Sequence, residues 1–488
     1  MDEHVRRAAR AYADQESWDG EDSPYEPCYR DGTVKHECWR DGGMAVRKDG
    51  RMRMERKFSL GYGDGMVDVT VRAREIEVVE AASPAPLEQL PEAFRAAVEE
   101  EAIDSAPLRE VVGPGDQVTV VISDQTRSWM HQERICPLLL DYLHDVVGLS
   151  DGQVVFLVAL GTHRAQTEDE LRALVSDAVF DRVRVINHDA HRNLVSLGVT
   201  SRGTPVEVSS WVVGRKVILM GGTVHHLLAG YGGGRKSILP GVSGEETIQR
   251  NHALALDPVL PRSSDLVGCG KVALNPVHED MMEAAAMVGP AFGINLVVDG
   301  QGRLLGMPSG HWQAAWEESC RLVDRFNGVP IAGRADAVLV SCGGFPKDIN
   351  LYQSSKTLIN ARQAVKEGGT LIFLSQCREG GGPAAFFDWS RYLASGTLDQ
   401  ALRANFTIAG YIFYVCCEIA AHTRAYAMST LPEDTLRQMG ITLVKDPTAL
   451  EKLLDFGDQR VIVMPHGANT VPIPPACEKQ EKNNPSAT

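Results

Sequence analysis

A chain of 488 residues is long enough for two or three domains, each with its own core. Its 44% hydrophobic and 23% charged residues are ordinary for a globular protein, and a net charge of −15 argues against general binding to nucleic acid or to an anionic membrane surface. An anionic substrate would therefore need a local basic cluster.

The first 55 residues read as an appended extension, rich in charge and aromatics and poor in periodicity. The run MDEHVRRAARAYADQ lacks the apolar core of a secretory signal, and ten scattered cysteines without a repeating framework suit reduced thiols in the cytoplasm. Cys28, His36 and Cys38 have the look of a fragment of a metal site, but with no fourth ligand nearby the segment reads instead as a polar, loop-rich extension. The segment FSLGYGDGMVDVTV, 58–71, alternates apolar residues around a Gly/Asp turn and predicts a hairpin.

After the linker ASPAPLEQLP, short β-branched runs alternate with helical stretches. They are VTVVISD (118–124), VVFLVALGTHR (154–164), VRVINHD (183–189), KVILMGGTVHH (216–226), AVLVSCGG (337–344), TLIFLSQC (370–377) and VIVMPHG (461–467). Runs too short for helices and apolar on both faces predict buried parallel strands. The fold class expected is therefore α/β, with two Rossmann-like lobes of mainly parallel sheet and the site in the cleft between them. Residues 56–315 are assigned to the first lobe and 330–475 to the second, with 310–334 as a bridge and 476–488 as a disordered tail. The most apolar stretch, IAGYIFYVCCEIAA (408–421), is short and broken by Glu418, so it predicts a buried element rather than a membrane span.

Chemistry concentrates at strand ends. Asp124, His163 and His226 each follow one, where open α/β sheets bind ligands. Two histidines on separate strand ends suit a reaction that inverts a carbon centre, which needs a proton donor and acceptor on each face. Between 225 and 241 the chain reads HHLLAGYGGGRKSILPG. A helix would not tolerate those glycines; they suit bare backbone brought close to something, with Lys236 presented beside it. A P-loop needs Gly directly before the Lys, and here that place holds Arg235, which excludes an ordinary P-loop. Lys236 can act as an electrostatic clamp or a covalent anchor. Arg127 in SDQTRSW and Lys356 in LYQSSK supply basic groups for a carboxylate.

The blocks SDQTR, ALGTHR, HLLAGYGGGRKSILPG with its downstream NH, NPVHEDMMEAA and GGFPKDINLYQSSK occur in this order. Together they resemble the nickel-dependent lactate racemase family, over roughly 56–475. The resemblance implies a 2-hydroxyacid racemase or epimerase using a nickel-pincer nucleotide joined covalently to Lys236, with His252 as a nickel ligand. It implies His163 and His226 as the acid/base pair, and Asp124, Gly233 and Gly234 as cofactor contacts. Arg127, Tyr352, Gln353 and Lys356 would hold a small anionic 2-hydroxy acid. Cofactor-biosynthesis proteins would be partners for loading. The family continues T-R-P where this chain has Ser128 and Trp129 after Arg127. Two other readings remain: a Schiff-base lysine for pyridoxal phosphate, which leaves the placed histidines idle, and a nucleotide- or metal-binding carrier, which needs no paired histidines.

Overall fold

The computed structural model describes residues 39–46, 52–82 and 84–475. Cys28, His36 and Cys38 and the tail 476–488 lie outside the described residues.

The first sheet has the strand order Leu304–Gly306, Phe292–Val298, Lys216–Gly222, Val118–Ser123, Val154–Ala159, Arg184–Asn187. All neighbours from Phe292–Val298 to Arg184–Asn187 pair in parallel. The chain explains the arrangement. In Val118–Ser123, Val118, Val120 and Ile122 enter one core while Val121 enters another, so both faces are covered. Each such side chain contributes about 1.5–3 kcal/mol when fully buried.

The second sheet runs Thr442–Val444, Arg424–Met428, Val365–Leu374, Ala335–Ser341, Arg460–Met464, Glu75–Val78, and every neighbour pair in it is parallel. Residues 408–421 form a largely buried helix beside it. Trp312–Asn327 is the bridging helix, and Gly328–Pro330 after it pairs with Val471–Ile473 near the end of the described chain.

The expected hairpin is present as Met52–Tyr62 and Gly65–Ala73, but it does not open the first lobe. Its inward residues Phe58, Leu60, Val67, Val69 and Val71 pack on Ala337, Leu339, Ile372 and Val463 of the second sheet. Glu75–Val78 then joins that sheet as an edge strand. The segment 56–78, placed with the first lobe from its position in the chain, packs on and pairs with the second sheet. The boundary at 55/56 falls inside a strand, and Trp39–Val46 pairs with that strand antiparallel. Pattern reading also passed over Phe292–Val298, whose residues are all buried.

Candidate functional site

In the first sheet the chain proceeds from Val118–Ser123 to Val154–Ala159 and Arg184–Asn187, then returns to the other side with Lys216–Gly222. The switch point lies between Val118–Ser123 and Lys216–Gly222, where the connecting helices leave in opposite directions and open a crevice. Beyond the ends of these two strands come the turn Gln125–Met130, which carries Arg127, and the segment from Thr223 to Lys236. The next strand, Val154–Ala159, delivers His163 to the same rim.

Asp124 is buried, and its carboxylate accepts from Thr126 Oγ1 at 2.6 Å and faces His163 Nδ1 at 2.5 Å. Burial pushes this carboxyl up, but hydrogen bonds from His163 and Thr126, with the charges of His163 and Arg127, outweigh it and hold it below 3.8. The carboxylate keeps the proton of His163 on Nδ1, which leaves Nε2 as the nitrogen with a free lone pair. The His163 side chain is 55% exposed, as a group that meets substrate must be. Asp124 was assigned to the nucleotide by resemblance; here its first partners are His163 and Thr126.

His226 ends a two-residue strand, His225–His226, paired with Gly230–Tyr231. Its Nε2 is 2.8 Å from Lys236 Nζ. Burial, followed by Lys236, Arg127, His252 and Arg235, holds its pKa well below 6.5. Lys236 is likewise pushed well below 10.5, by burial and then by Arg127 and Arg235.

The glycines between them are required by the loop's own packing. Gly233 and Gly234 adopt φ of 67° and 51°, a region glycine enters without strain. A Cβ at Gly233 would lie 2.7 Å from Thr223 Oγ1, and one at Gly234 would lie 2.6 Å from Trp316 Cγ. Their missing side chains make room for the protein's own packing.

His252 sits in the helix Glu245–Ala253, buried, with its pKa pushed down to about 3 by burial and then by Lys236. Its ring stacks on Phe406 of the second lobe at 6.3 Å. Tyr352, Gln353 and Lys356 lie on the helix Leu351–Arg362, whose first turn is capped by Asn350 Oδ1 accepting from Gln353 N. Tyr352 packs edge-on to Phe386, Gln353 is exposed, and the Lys356 ammonium is disfavoured by desolvation and then by Arg127. Arg127 also acts on Tyr352, opposing the rise that burial causes there. One guanidinium thus couples to His226 and Lys236 on one side and to Tyr352 and Lys356 on the other. Among the described residues neither Arg127 nor Lys356 makes an ion pair, so an anion has two unclaimed cations to meet.

Sequence reasoning missed the device that holds the loop. Arg235 is wholly buried and donates to the carbonyls of Ala229, Gly232 and Gly233. Its guanidinium lies 3.9 Å from the centre of the Trp316 ring, and Trp316 Nε1 donates to the same Gly232 carbonyl at 2.8 Å. Burial pushes Arg235 down to about 9, still cationic at neutral pH. Asp324, on the bridging helix, accepts from the Tyr231 hydroxyl at 2.7 Å and lies 2.9 Å from His225 Nε2, which braces the neighbouring strand pair. An arginine filling the slot where a P-loop has glycine was the available signal.

Two family models match the chain: the lactate racemase N-terminal domain over residues 62–260 and the lactate racemase C-terminal domain over 331–471. A lactate racemase of Thermoanaerobacterium thermosaccharolyticum is 30% identical over 293 residues, 59% of this chain and 67% of that protein. One of Lactiplantibacillus plantarum is 30% identical over 288 residues, 58% of this chain and 66% of that protein. The solved structure of the lactate racemase apoprotein from T. thermosaccharolyticum superposes with a TM-score of 0.73 at 24% identity, covering 86% of this chain and all of that one. That likeness shows the two-lobed α/β fold.

Proposed function

Because this chain belongs to the lactate racemase family, we propose that it inverts the hydroxyl-bearing carbon of a small anionic 2-hydroxy acid. The observation that carries the proposal is the placement of two imidazoles on separate strand ends, one fixed by a buried carboxylate, beside a guanidinium that acts on both lobes. A carrier or sensor would need only the basic cluster. A pyridoxal phosphate enzyme would use Lys236 and leave the Asp124–His163 pair without a task.

The resemblance implies a nickel-pincer nucleotide, and the donor set fits it. No three His, Cys, Asp or Glu side chains converge on a metal position among the described residues. The resemblance implies one imidazole from the protein, with the other ligands supplied by the cofactor. His252, neutral over the working pH range, would ligate nickel. Lys236 would tether the nucleotide, with Asp124 and the backbone at Gly233 and Gly234 as further contacts. When bound, the group would supply an acceptor and donor for the C2 hydrogen as hydride.

The chain's own residues do the rest. Arg127, with Tyr352, Gln353 and Lys356, holds the substrate carboxylate, a charge-assisted contact at the guanidinium. One of His163 and His226 takes the hydroxyl proton, and the planar 2-keto acid can then be reduced from its other face. The second histidine returns the proton, so the reverse direction exchanges their roles. Ser128 stands where the family pattern has proline, and Trp129 after it, two residues from Arg127, is proposed to shape the room for the substrate side chain. Loading of the cofactor calls for biosynthetic partner proteins.

The test is isotopic. Cofactor-loaded protein given substrate deuterated at C2 should racemise it while keeping most of the label in the product. Rapid washout of that label into water would falsify the hydride route, and absence of any racemisation of 2-hydroxy acids by the loaded protein would remove the function itself.

A further inference from the structure

The hydrogen bonds around His226 settle a protonation state that its position leaves open. Its Nδ1 accepts from the amide nitrogens of Leu228 at 3.1 Å and Ala229 at 3.3 Å. Backbone N–H groups only donate, so Nδ1 must present its lone pair. A neutral imidazole with a bare Nδ1 carries its proton on Nε2. That nitrogen lies 2.8 Å from Lys236 Nζ. An ammonium has three N–H groups and no lone pair, so Nε2–H would meet it donor against donor. A neutral amine has the one lone pair this position requires.

We infer that in the cofactor-free protein Lys236 is held as a neutral amine accepting the Nε2–H of His226, and that acylating this amine removes that acceptor and resets the hydrogen bonding of His226. The inference rests on the reading of Lys236 as the tether and gives His226 a task that precedes turnover.

The groups facing the pair agree in sign. Arg127 from the Gln125–Met130 turn, Arg235 from the glycine loop and His252 from the Glu245–Ala253 helix are basic, and burial acts in the same direction. Arg235 is pinned by three carbonyls and Trp316 and cannot swing away. The carboxylate at this rim, Asp124, is engaged by His163 and Thr126.

Acylation changes the nitrogen. Its lone pair forms the new C–N bond, the bond from the acyl carbon to the leaving group breaks, and one nitrogen proton departs with that group. In the resulting amide or thioamide the lone pair is delocalised and the remaining N–H only donates. Nε2–H of His226 then faces a donor and must turn to another acceptor. Attachment at Lys236 and the hydrogen bonding of His226 Nε2–H are thereby linked through one atom.

The full-length, cofactor-free chain labelled with 15N-histidine and 13Cε-lysine tests this, with acetic anhydride as the acylating probe. The His226 signals are identified by their loss in His226→Gln, and those of Lys236 by their loss in Lys236→Met. At pH 7–8 His226 should show the neutral Nε2–H tautomer, and Lys236 should titrate well below the surface lysines. Acetylation mapped to Lys236 should shift the Nε2–H resonance, while the same treatment of Lys236→Met should leave it in place. An Nδ1–H tautomer, or a Lys236 that titrates with the surface lysines, overturns the inference even if the reagent fails to reach the amine. These readouts need no turnover. A chain showing these states without ever racemising would sink the proposed function alone, and a label-retaining racemase with an Nδ1–H His226 would sink this inference alone.

Discussion

His163 and Asp124 are 39 positions apart in the chain, yet Nδ1 of one and Oδ2 of the other stand 2.5 Å apart at neighbouring strand ends. The parallel pairing of Val118–Ser123 with Val154–Ala159 brings them there. With its Nδ1 proton held by a buried carboxylate, His163 offers Nε2 as a base. Asp124→Asn keeps the shape and removes that control. The rate should fall by about 10²–10⁴-fold, the usual scale of one acid/base group, with unfolding midpoint little changed. A variant retaining full turnover would show that Asp124 does not orient the base.

Arg127 is the group that acts on both lobes, and it makes no ion pair among the described residues. Arg127→Ala should raise KM far more than it lowers kcat, through loss of a charge-assisted contact of about 1.5–3 kcal/mol. Arg127→Lys should recover only part, because an ammonium cannot bind a carboxylate in the bidentate way. Steady-state kinetics on the loaded enzyme separate the two effects. A pure kcat loss would place Arg127 at the reacting centre instead.

Gly234 tests the packing of the loop. A Cβ there would adopt φ of +51° and come within 2.6 Å of Trp316, combining left-handed strain of roughly 1–2 kcal/mol with overpacking of about 1–3 kcal/mol. Gly234→Ala should lower the melting temperature and slow acylation of Lys236. Gly232→Ala, whose nearest neighbour would be an ordinary 3.5 Å away, should be nearly neutral. Equal thermal shifts in the two variants would show that the Trp316 contact does not constrain the loop.

Acid stability follows from His278, which stacks on Trp316 at 5.3 Å and is pushed down to about 3 by burial and then by Arg235. The folded chain keeps it neutral while the unfolded chain protonates it below about 6.5. The unfolded state thus binds more protons between pH 6.5 and 3, and stability falls as pH falls through that window, by up to about 1.4 kcal/mol per pH unit from this group. His278→Phe keeps the stack and should flatten the pH dependence of denaturant midpoints between pH 6 and 4. An unchanged slope would mean that His278 is already protonated in the fold.

Much of the fold was legible before any coordinates. VTVVISD and VVFLVALGTHR read as buried parallel strands because a strand covered on both faces must be apolar along its whole length, and that is a local property. His163 and His226 could be placed at strand ends for the same reason. The hairpin at 58–71 was legible from its alternation, but not its address: alternation says that one face is buried and never against what.

Tertiary structure alone decided the partners. The hairpin lies on the second sheet because Ala337, Leu339 and Ile372 offer it an apolar face, although it precedes the first lobe in the chain. Asp124 belongs to His163 because sheet order makes their strands neighbours, and Arg127 acts on the helix Leu351–Arg362 because the two lobes meet there. In the sequence Arg235 was legible only as the residue that breaks a P-loop pattern. Only the bridging helix, by bringing Trp316 against the loop, turned it inward and left Lys236 to face His226. Periodicity records how each segment meets solvent; which distant groups share a site depends on strand order and lobe packing, which no local pattern encodes.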